Sequence, residues 1–242
     1  MILSNLLNGN LHCFRKMPKT KDPRKEQELP TFKFKSVSSP ISPPDSDYSA
    51  PVVKQDLERC SLHSELVFTI PGFLLPDECA CWIKFAEETG FEETKHPAAA
   101  GYAHRDNGRL QFTDTFVASL IFERMRKALP TCSGKIAVGC SSNIRIYRYF
   151  EGQRFGKHID DSNFEKETGS WSEFTLLLYL NEVNLGGETV FYDGSKKAVL
   201  TVSPVAGLAL IHGHGERCML HEGRSVKRGV KYLLRTDVLY KD

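Results

Sequence analysis

The chain has no long apolar run, no paired-cysteine motif and no large excess of either charge. Nowhere do about 18 uncharged apolar residues follow one another, so no membrane-spanning helix and no membrane partner are expected. The seven cysteines (Cys13, Cys60, Cys79, Cys81, Cys132, Cys140 and Cys218) are odd in number, irregularly spaced and without a CxxC pair. That excludes a visible disulfide framework and predicts reduced thiols in an intracellular setting, cytoplasmic or nuclear. A balance of 32 basic against 30 acidic residues leaves a net charge of +2. No global basic field for nucleic acid follows from it, although a local patch is compatible with it. Internal repeats and Gly-rich phosphate loops are also missing. The 40% of apolar residues excludes a collagen-like or wholly disordered chain.

Residues 1–57 hold seven of the twelve prolines and are rich in Ser and Lys. They lack hydrophobic periodicity, so burial there cannot offset ordering entropy, and a disordered tail is expected. The opening residues lack the basic n-region, continuous apolar stretch and small-residue cleavage site of a secretory signal. Arg15, Lys16, Lys19, Lys21, Arg24 and Lys25 form a loose basic cluster that suits either a solvated linker or a nuclear address or anionic partner site.

From Glu58 the composition becomes globular, and residues 58–242 are read as one domain. A strand is predicted over 65–70. Pro76-Asp-Glu78 starts a helix that stops at Gly90, and a second helix runs from Asp114 to Ala128 before Pro130. After Gly139 come short strands: 143–150, 174–180, 189–192, 199–202, 208–211 and 231–240. The expectation is a mainly β fold with flanking helices, in which 58–138 is helical support and 139–242 forms a sandwich or jelly roll.

The sharpest chemical feature is His158-Ile-Asp160. On a strand, residues two apart project to one face, so an imidazole and a carboxylate can hold one ion. A third ligand must come from elsewhere, and His221 in Cys218-Met-Leu-His221-Glu-Gly is the best candidate. Two imidazoles and one carboxylate make the facial set of non-haem Fe(II) oxygenases. His212, His214, Cys218 and His221 form a rival cluster that raises the question of zinc, but its spacing fits no zinc module well and leaves His158 and Asp160 unused. A cupin also suits a jelly roll, but cupins open with HxH and a later Glu.

Around this motif the sequence reads Tyr149-Phe-Glu-Gly152-Gln-Arg-Phe155-Gly-Lys-His158, then Leu176-Leu-Leu-Tyr-Leu-Asn-Glu-Val183, Gly186-Gly-Glu-Thr-Val-Phe191 and Pro204-Val-Ala-Gly207. His221 is followed by Val226, Gly229 and Lys231. This ordered series resembles the prolyl 4-hydroxylase-like branch of the Fe(II)/2-oxoglutarate-dependent dioxygenases, from about Ser142 to Tyr240 and more loosely back to Phe68. The resemblance implies a double-stranded β-helix (jelly roll) core, Fe(II) as metal, 2-oxoglutarate as cosubstrate and ascorbate as reductant. It also implies hydroxylation of a C–H bond, foremost of a prolyl residue in a peptide or protein, with succinate and CO2 as coproducts.

Residue by residue, the resemblance implies His158, Asp160 and His221 as iron ligands and Lys231 as the cation for the distal carboxylate of 2-oxoglutarate. A buried dianion needs such a fixed cation. Arg235 is its rival, because it shares a strand face with Lys231. Tyr179 and Tyr149 match tyrosines near the cosubstrate, although both equally suit strand aromatics, and Thr189 is a weaker pocket residue. Ser225 stands where family members often carry Pro, a departure that affects a turn. Asp161 and Glu222 adjoin ligands on the opposite face. His104-Arg-Asp-Asn-Gly-Arg109 is read as a loop over the mouth, either solvated or offering Arg105, Asn107 and Arg109 to substrate. Two other functions stay open: oxidation of a small molecule or nucleic acid, or a catalytically weak metal-binding scaffold whose basic tail recruits a partner.

Overall fold

A computed structural model describes residues 57–96 and 103–242. The predicted tail over 1–57 lies outside the described residues except for Leu57. The elements run β1 (Cys60–His63), β2 (Val67–Ile70), α1 (Pro76–Thr89), β3 (Glu92–His96), β4 (Arg105–Thr113), α2 (Thr115–Met125), β5 (Ile136–Cys140) and β6 (Asn143–Tyr149). There follow β7 (Phe155–His158), β8 (Phe164–Glu165), β9 (Ser170–Tyr179), β10 (Leu185–Gly186), β11 (Thr189–Tyr192) and β12 (Ala198–Val202). The last are β13 (Ala209–Gly213), β14 (Leu220–Gly223), β15 (Val226–Arg228) and β16 (Lys231–Lys241).

The main sheet runs β1-β2-β13-β9-β16-β6-β4-β7-β14-β11-β12, and its strand pairs are antiparallel throughout. It curls back on itself as a nearly closed barrel, the jelly roll expected from the sequence. The two faces explain the near-continuous apolar run of β9. Leu176 and Leu178 join an outer core with Ile144, Ile146, Leu234 and Val238, against which Trp82 and Phe85 of α1 and Val117 and Ile121 of α2 pack. Leu177 and Tyr179 point the other way, into an inner core with Tyr147, Tyr149, Phe191, Leu210 and Leu233. Fully burying each of the large side chains contributes about 1.5–3 kcal/mol.

Both helices start as the sequence predicts. Pro76 opens α1, where its missing N–H costs nothing, and Glu78 accepts the Leu75 N–H at 2.8 Å. Asp114 caps α2 by accepting the N–H groups of Phe116 and Val117, each at 2.9 Å. Glu78, only 1% exposed, also holds Arg124 of α2 at 2.7 Å, which ties the two helices together. The turn between β12 and β13 meets the entry to α1 at Gly207. There φ is +78°, and a Cβ would come 2.1 Å from the Leu74 carbonyl oxygen.

Two expectations are corrected. Residues 58–138 are not only helical support, because β1 to β4 and the start of β5 lie in this stretch and all five belong to the main sheet. The segment read as a loop over 104–109 is largely β4, which pairs with β3 and β6 over its length and with β7 at Arg105. Polar side chains disguise it as a loop. Its inward positions Arg105, Asn107 and Arg109 face the barrel interior, whereas Leu110 and Phe112 supply the outer core.

Candidate metal centre

His158 ends β7 and His221 lies in β14, and the two are cross-strand partners. Their rings lie 4.2 Å apart between centroids. Asp160 follows just beyond the end of β7 rather than on the strand itself. Ligand atoms of His158, Asp160 and His221 all lie within 4.8 Å of one another. Antiparallel pairing thus unites residues 63 positions apart in sequence (158 to 221).

The donor set fits a divalent metal. His158 Nδ1 lies 2.8 Å from the Gly156 carbonyl oxygen, and His221 Nδ1 lies 2.9 Å from that of Met219. Those contacts place the proton on Nδ1 and leave the Nε2 lone pairs free. Each Nε2 points at Asp160, at 3.6 Å for His158 and 3.7 Å for His221. Burial, reinforced by the neighbouring His221, pushes His158 down to about 3, and burial likewise lowers His221. Neutral imidazoles are what metal ligation requires. Burial would raise the Asp160 carboxyl, but Arg235 and the surrounding imidazoles hold it well below the usual range, so it is a carboxylate.

Asp160 is firmly oriented. Its Oδ1 accepts from Arg235 Nη1 at 3.1 Å, and its Oδ2 accepts from Thr175 Oγ1 at 2.8 Å. Arg235 also approaches Asp237 Oδ1 at 3.5 Å, and Asp237 in turn accepts from Arg145 at 2.6 Å. Lys231, the first residue of β16, lies opposite Tyr149 in register. Its ammonium donates to the Gly187 carbonyl oxygen at 2.6 Å and stands 5.7 Å and 5.3 Å from the ring centroids of Tyr149 and Tyr179. Among the described residues it makes no ion pair, and burial lowers it to about 8 against the weak opposing pull of Glu188. The Tyr179 hydroxyl meets Thr189 Oγ1 at 2.7 Å, and burial raises both Tyr149 and Tyr179.

Thr175 and Asp237 have no role in the sequence expectations, and His212 figures there only in the rival zinc cluster. Thr175 was hidden inside an apolar run. His212 lies at the end of β13 with its Nε2 3.7 Å from Asp160 Oδ2 and its ring 4.4 Å from that of His221. Asp237 had a usable signal, because it shares a strand face with Lys231 and Arg235. The rival set of His212, Cys218 and His221 also clusters within 4.8 Å. Burial, however, pushes the Cys218 thiol up to about 12, and its sulfur accepts the Asp160 N–H at 3.2 Å. A thiol held protonated is a poor zinc ligand.

Arg105 lies over the Phe155 ring at 4.2 Å, and that ring stacks on His158 with 3.6 Å between centroids. Asn107 is fully buried, and Arg109 contacts Gln111. No helix among the described residues is long and apolar enough to cross a membrane.

Residues 144–236 match the sequence model of the 2OG-Fe(II) oxygenase superfamily. The chain is 29% identical over 167 residues to prolyl 4-hydroxylase 2 of Arabidopsis thaliana, covering 64% of this chain and 52% of that protein. It is 30% identical over 137 residues to probable prolyl 4-hydroxylase 4 of the same plant, covering 52% and 43%. It therefore spans about half the length of these curated relatives. Among solved structures, the fold is similar to a viral collagen prolyl hydroxylase from Paramecium Bursaria Chlorella virus-1, with TM-score 0.51, 19% identity and 72% and 96% of the two chains covered. It is likewise similar to a Trichoplax adhaerens prolyl hydroxylase in complex with a hypoxia inducible factor peptide fragment, with TM-score 0.52, 16% identity and 72% and 84% coverage. The matched residues 144–236 include the clustered imidazoles, the carboxylate and the buried lysine, and over that span the chain is similar to the 2OG-Fe(II) oxygenase superfamily, with curated relatives named as prolyl 4-hydroxylases.

Proposed function

We propose that this protein is an Fe(II)- and 2-oxoglutarate-dependent dioxygenase that hydroxylates a C–H bond, of a prolyl residue in a peptide or protein. One observation carries this reading: a His158/Asp160/His221 cluster of metal-ligand type borders the same inner core of the barrel as Lys231, a buried ammonium that makes no ion pair among the described residues. A buried charge of that kind asks for an anionic ligand. The prolyl substrate is carried over from relatives named as prolyl 4-hydroxylases.

In this reading His158, Asp160 and His221 hold the iron through two Nε2 atoms and one carboxylate oxygen. When bound, the iron activates dioxygen while 2-oxoglutarate supplies two electrons and leaves as succinate and CO2, one oxygen atom going to the substrate carbon. The chain's own residues prepare this chemistry. The carbonyls of Gly156 and Met219 fix the two imidazoles, and Arg235 with Thr175 fixes the Asp160 carboxylate. Lys231 binds the distal carboxylate of 2-oxoglutarate, with the hydroxyls of Tyr179 and Thr189 as polar neighbours. Tyr149 closes that end of the cavity. Phe155 and Phe191 stack against the ligand imidazoles and keep water away from them. Arg235 is left out of cosubstrate binding because Asp160 and Asp237 already engage it.

The test is incubation with Fe(II), 2-oxoglutarate, ascorbate and peptide libraries containing proline. Succinate release coupled to a peptide mass gain of one oxygen atom is expected. A protein that binds neither metal nor 2-oxoglutarate contradicts the proposal.

A further inference from the structure

The inward face of β4 presents Arg105, Asn107 and Arg109 in alternate positions, on the same inner surface as Tyr147, Tyr149, Lys231 and Arg235 of β6 and β16. Arg105 and Arg109 form no ion pair among the described residues. Glu92 stands opposite Arg109 across the β3–β4 pair but is exposed and does not bridge to it. Asp106, between the two arginines in sequence, points to the other face and accepts from Gln153 at 3.1 Å. Arg105 makes its contact with the Phe155 ring. Among the described residues Arg109 reaches Gln111 and leaves its buried Nε without a partner. Asn107 is 0% exposed, and its Oδ1 has no hydrogen-bond partner among the described residues. A buried acceptor left unmet costs about 1–3 kcal/mol, so such a group on the inner face of the barrel points to a ligand that donates to it.

Charge bookkeeping points the same way. A divalent metal and the dianion of 2-oxoglutarate cancel. Asp160 and Asp237 answer Arg235 and Arg145. Lys231, Arg105 and Arg109 remain, and only Lys231 has a use in cosubstrate binding. The two arginines on β4 are fork-shaped donors suited to a planar carboxylate.

We propose that Arg105, Asn107 and Arg109 form a carboxylate-reading wall of the substrate cavity, and that the substrate carries an acidic side chain beside the carbon to be oxidised. This deepens the dioxygenase reading and rests on it. The arginines take the carboxylate and Asn107 Oδ1 accepts a neighbouring amide N–H. A peptide with Asp or Glu next to the target residue offers both groups, whereas a phosphodiester backbone offers no N–H donor.

The experiment uses the full chain loaded with Mn(II), with and without 2-oxoglutarate, and reads dissociation constants by calorimetry. The probes are a blocked tripeptide with proline between two glutamates, its glutamine counterpart, free N-acetylglutamate and a single-stranded oligothymidylate. The acidic tripeptide is expected to bind about tenfold or more tightly than the glutamine one. That preference should vanish in Arg109→Gln, shrink in Arg105→Gln and partly return in Arg109→Lys, which keeps the charge without the fork. N-acetylglutamate competing as well as the acidic tripeptide assigns the wall to small carboxylates rather than peptides. Equal binding of the two tripeptides overturns the proposal. So does a preference that survives both glutamine variants, or tighter binding of the oligothymidylate. Failure of 2-oxoglutarate to bind in the same samples sinks the dioxygenase reading instead, because the peptide comparison without it still decides the carboxylate preference.

Discussion

Arg235 Nη1 lies 3.1 Å from Asp160 Oδ1, and with that contact a residue of β16 fixes the carboxylate of the metal-ligand cluster. Lys231, four positions earlier on the same inward face, makes no such pair. Two cations that look interchangeable in sequence therefore have different surroundings. Arg235→Ala is expected to weaken metal binding about 10- to 100-fold by releasing Asp160. Lys231→Ala should mainly raise the 2-oxoglutarate concentration needed for half-maximal turnover. Titrating metal and cosubstrate separately on both variants checks the division, and exchanged phenotypes would show that the roles are reversed.

Substituting His158, Asp160 or His221 by Ala should remove stoichiometric metal binding, measured by Co(II) titration, and with it Fe(II)-dependent succinate formation. A variant of any one that keeps normal turnover contradicts the metal assignment. His212→Ala should retain metal, because the proposed set is complete without it.

With Lys231 as the proposed anchor, binding of 2-oxoglutarate acquires a pH dependence. The Lys231 ammonium is lowered to about 8 by burial, and 2-oxoglutarate needs it charged. Affinity should be level below pH 8 and fall as the pH rises above it, by up to about tenfold per unit. Stability of the ligand-free protein runs the opposite way. Between about 8 and the ordinary lysine value of 10.5 the unfolded chain holds the proton that the folded chain has lost, so stability from this group rises with pH across that window. Chemical denaturation at pH 7.5 and 9.5, with and without 2-oxoglutarate, measures both slopes. Lys231→Met should flatten them.

Glu78 is buried, and Arg124 holds it from the second helix. Arg124→Ala leaves that carboxylate without its partner and should cost roughly 3 kcal/mol. Arg126→Ala removes only an exposed pair with Glu123 and should cost about 0–1 kcal/mol. Urea unfolding of the two variants compares them directly, and equal losses would mean that the helix-to-helix tie is not structural.

Much of the fold was legible along the chain. Pro76 and Asp114 marked helix starts because capping is local, and the apolar runs marked β6, β9 and β16 because burial on either face selects such residues. β4 was not legible. Its inward side chains are Arg105, Asn107 and Arg109, so the apolar half of the alternation is carried only by Leu110 and Phe112, and polarity there reads as loop. Thr175 escaped for a related reason, since one polar residue in an apolar strand carries no sign of what it faces.

The sequence alone determined which chemistry-bearing residues exist and which are near one another along the chain: His158 beside Asp160, and Lys231 ten positions after His221. Only the tertiary structure decided which of them share a cavity. Antiparallel pairing brings His221 against His158, sheet curvature brings Arg235 to Asp160, and the barrel seals Lys231 away from water. Those outcomes depend on strand register and closure, which arise from contacts between distant segments and have no signature within any one of them.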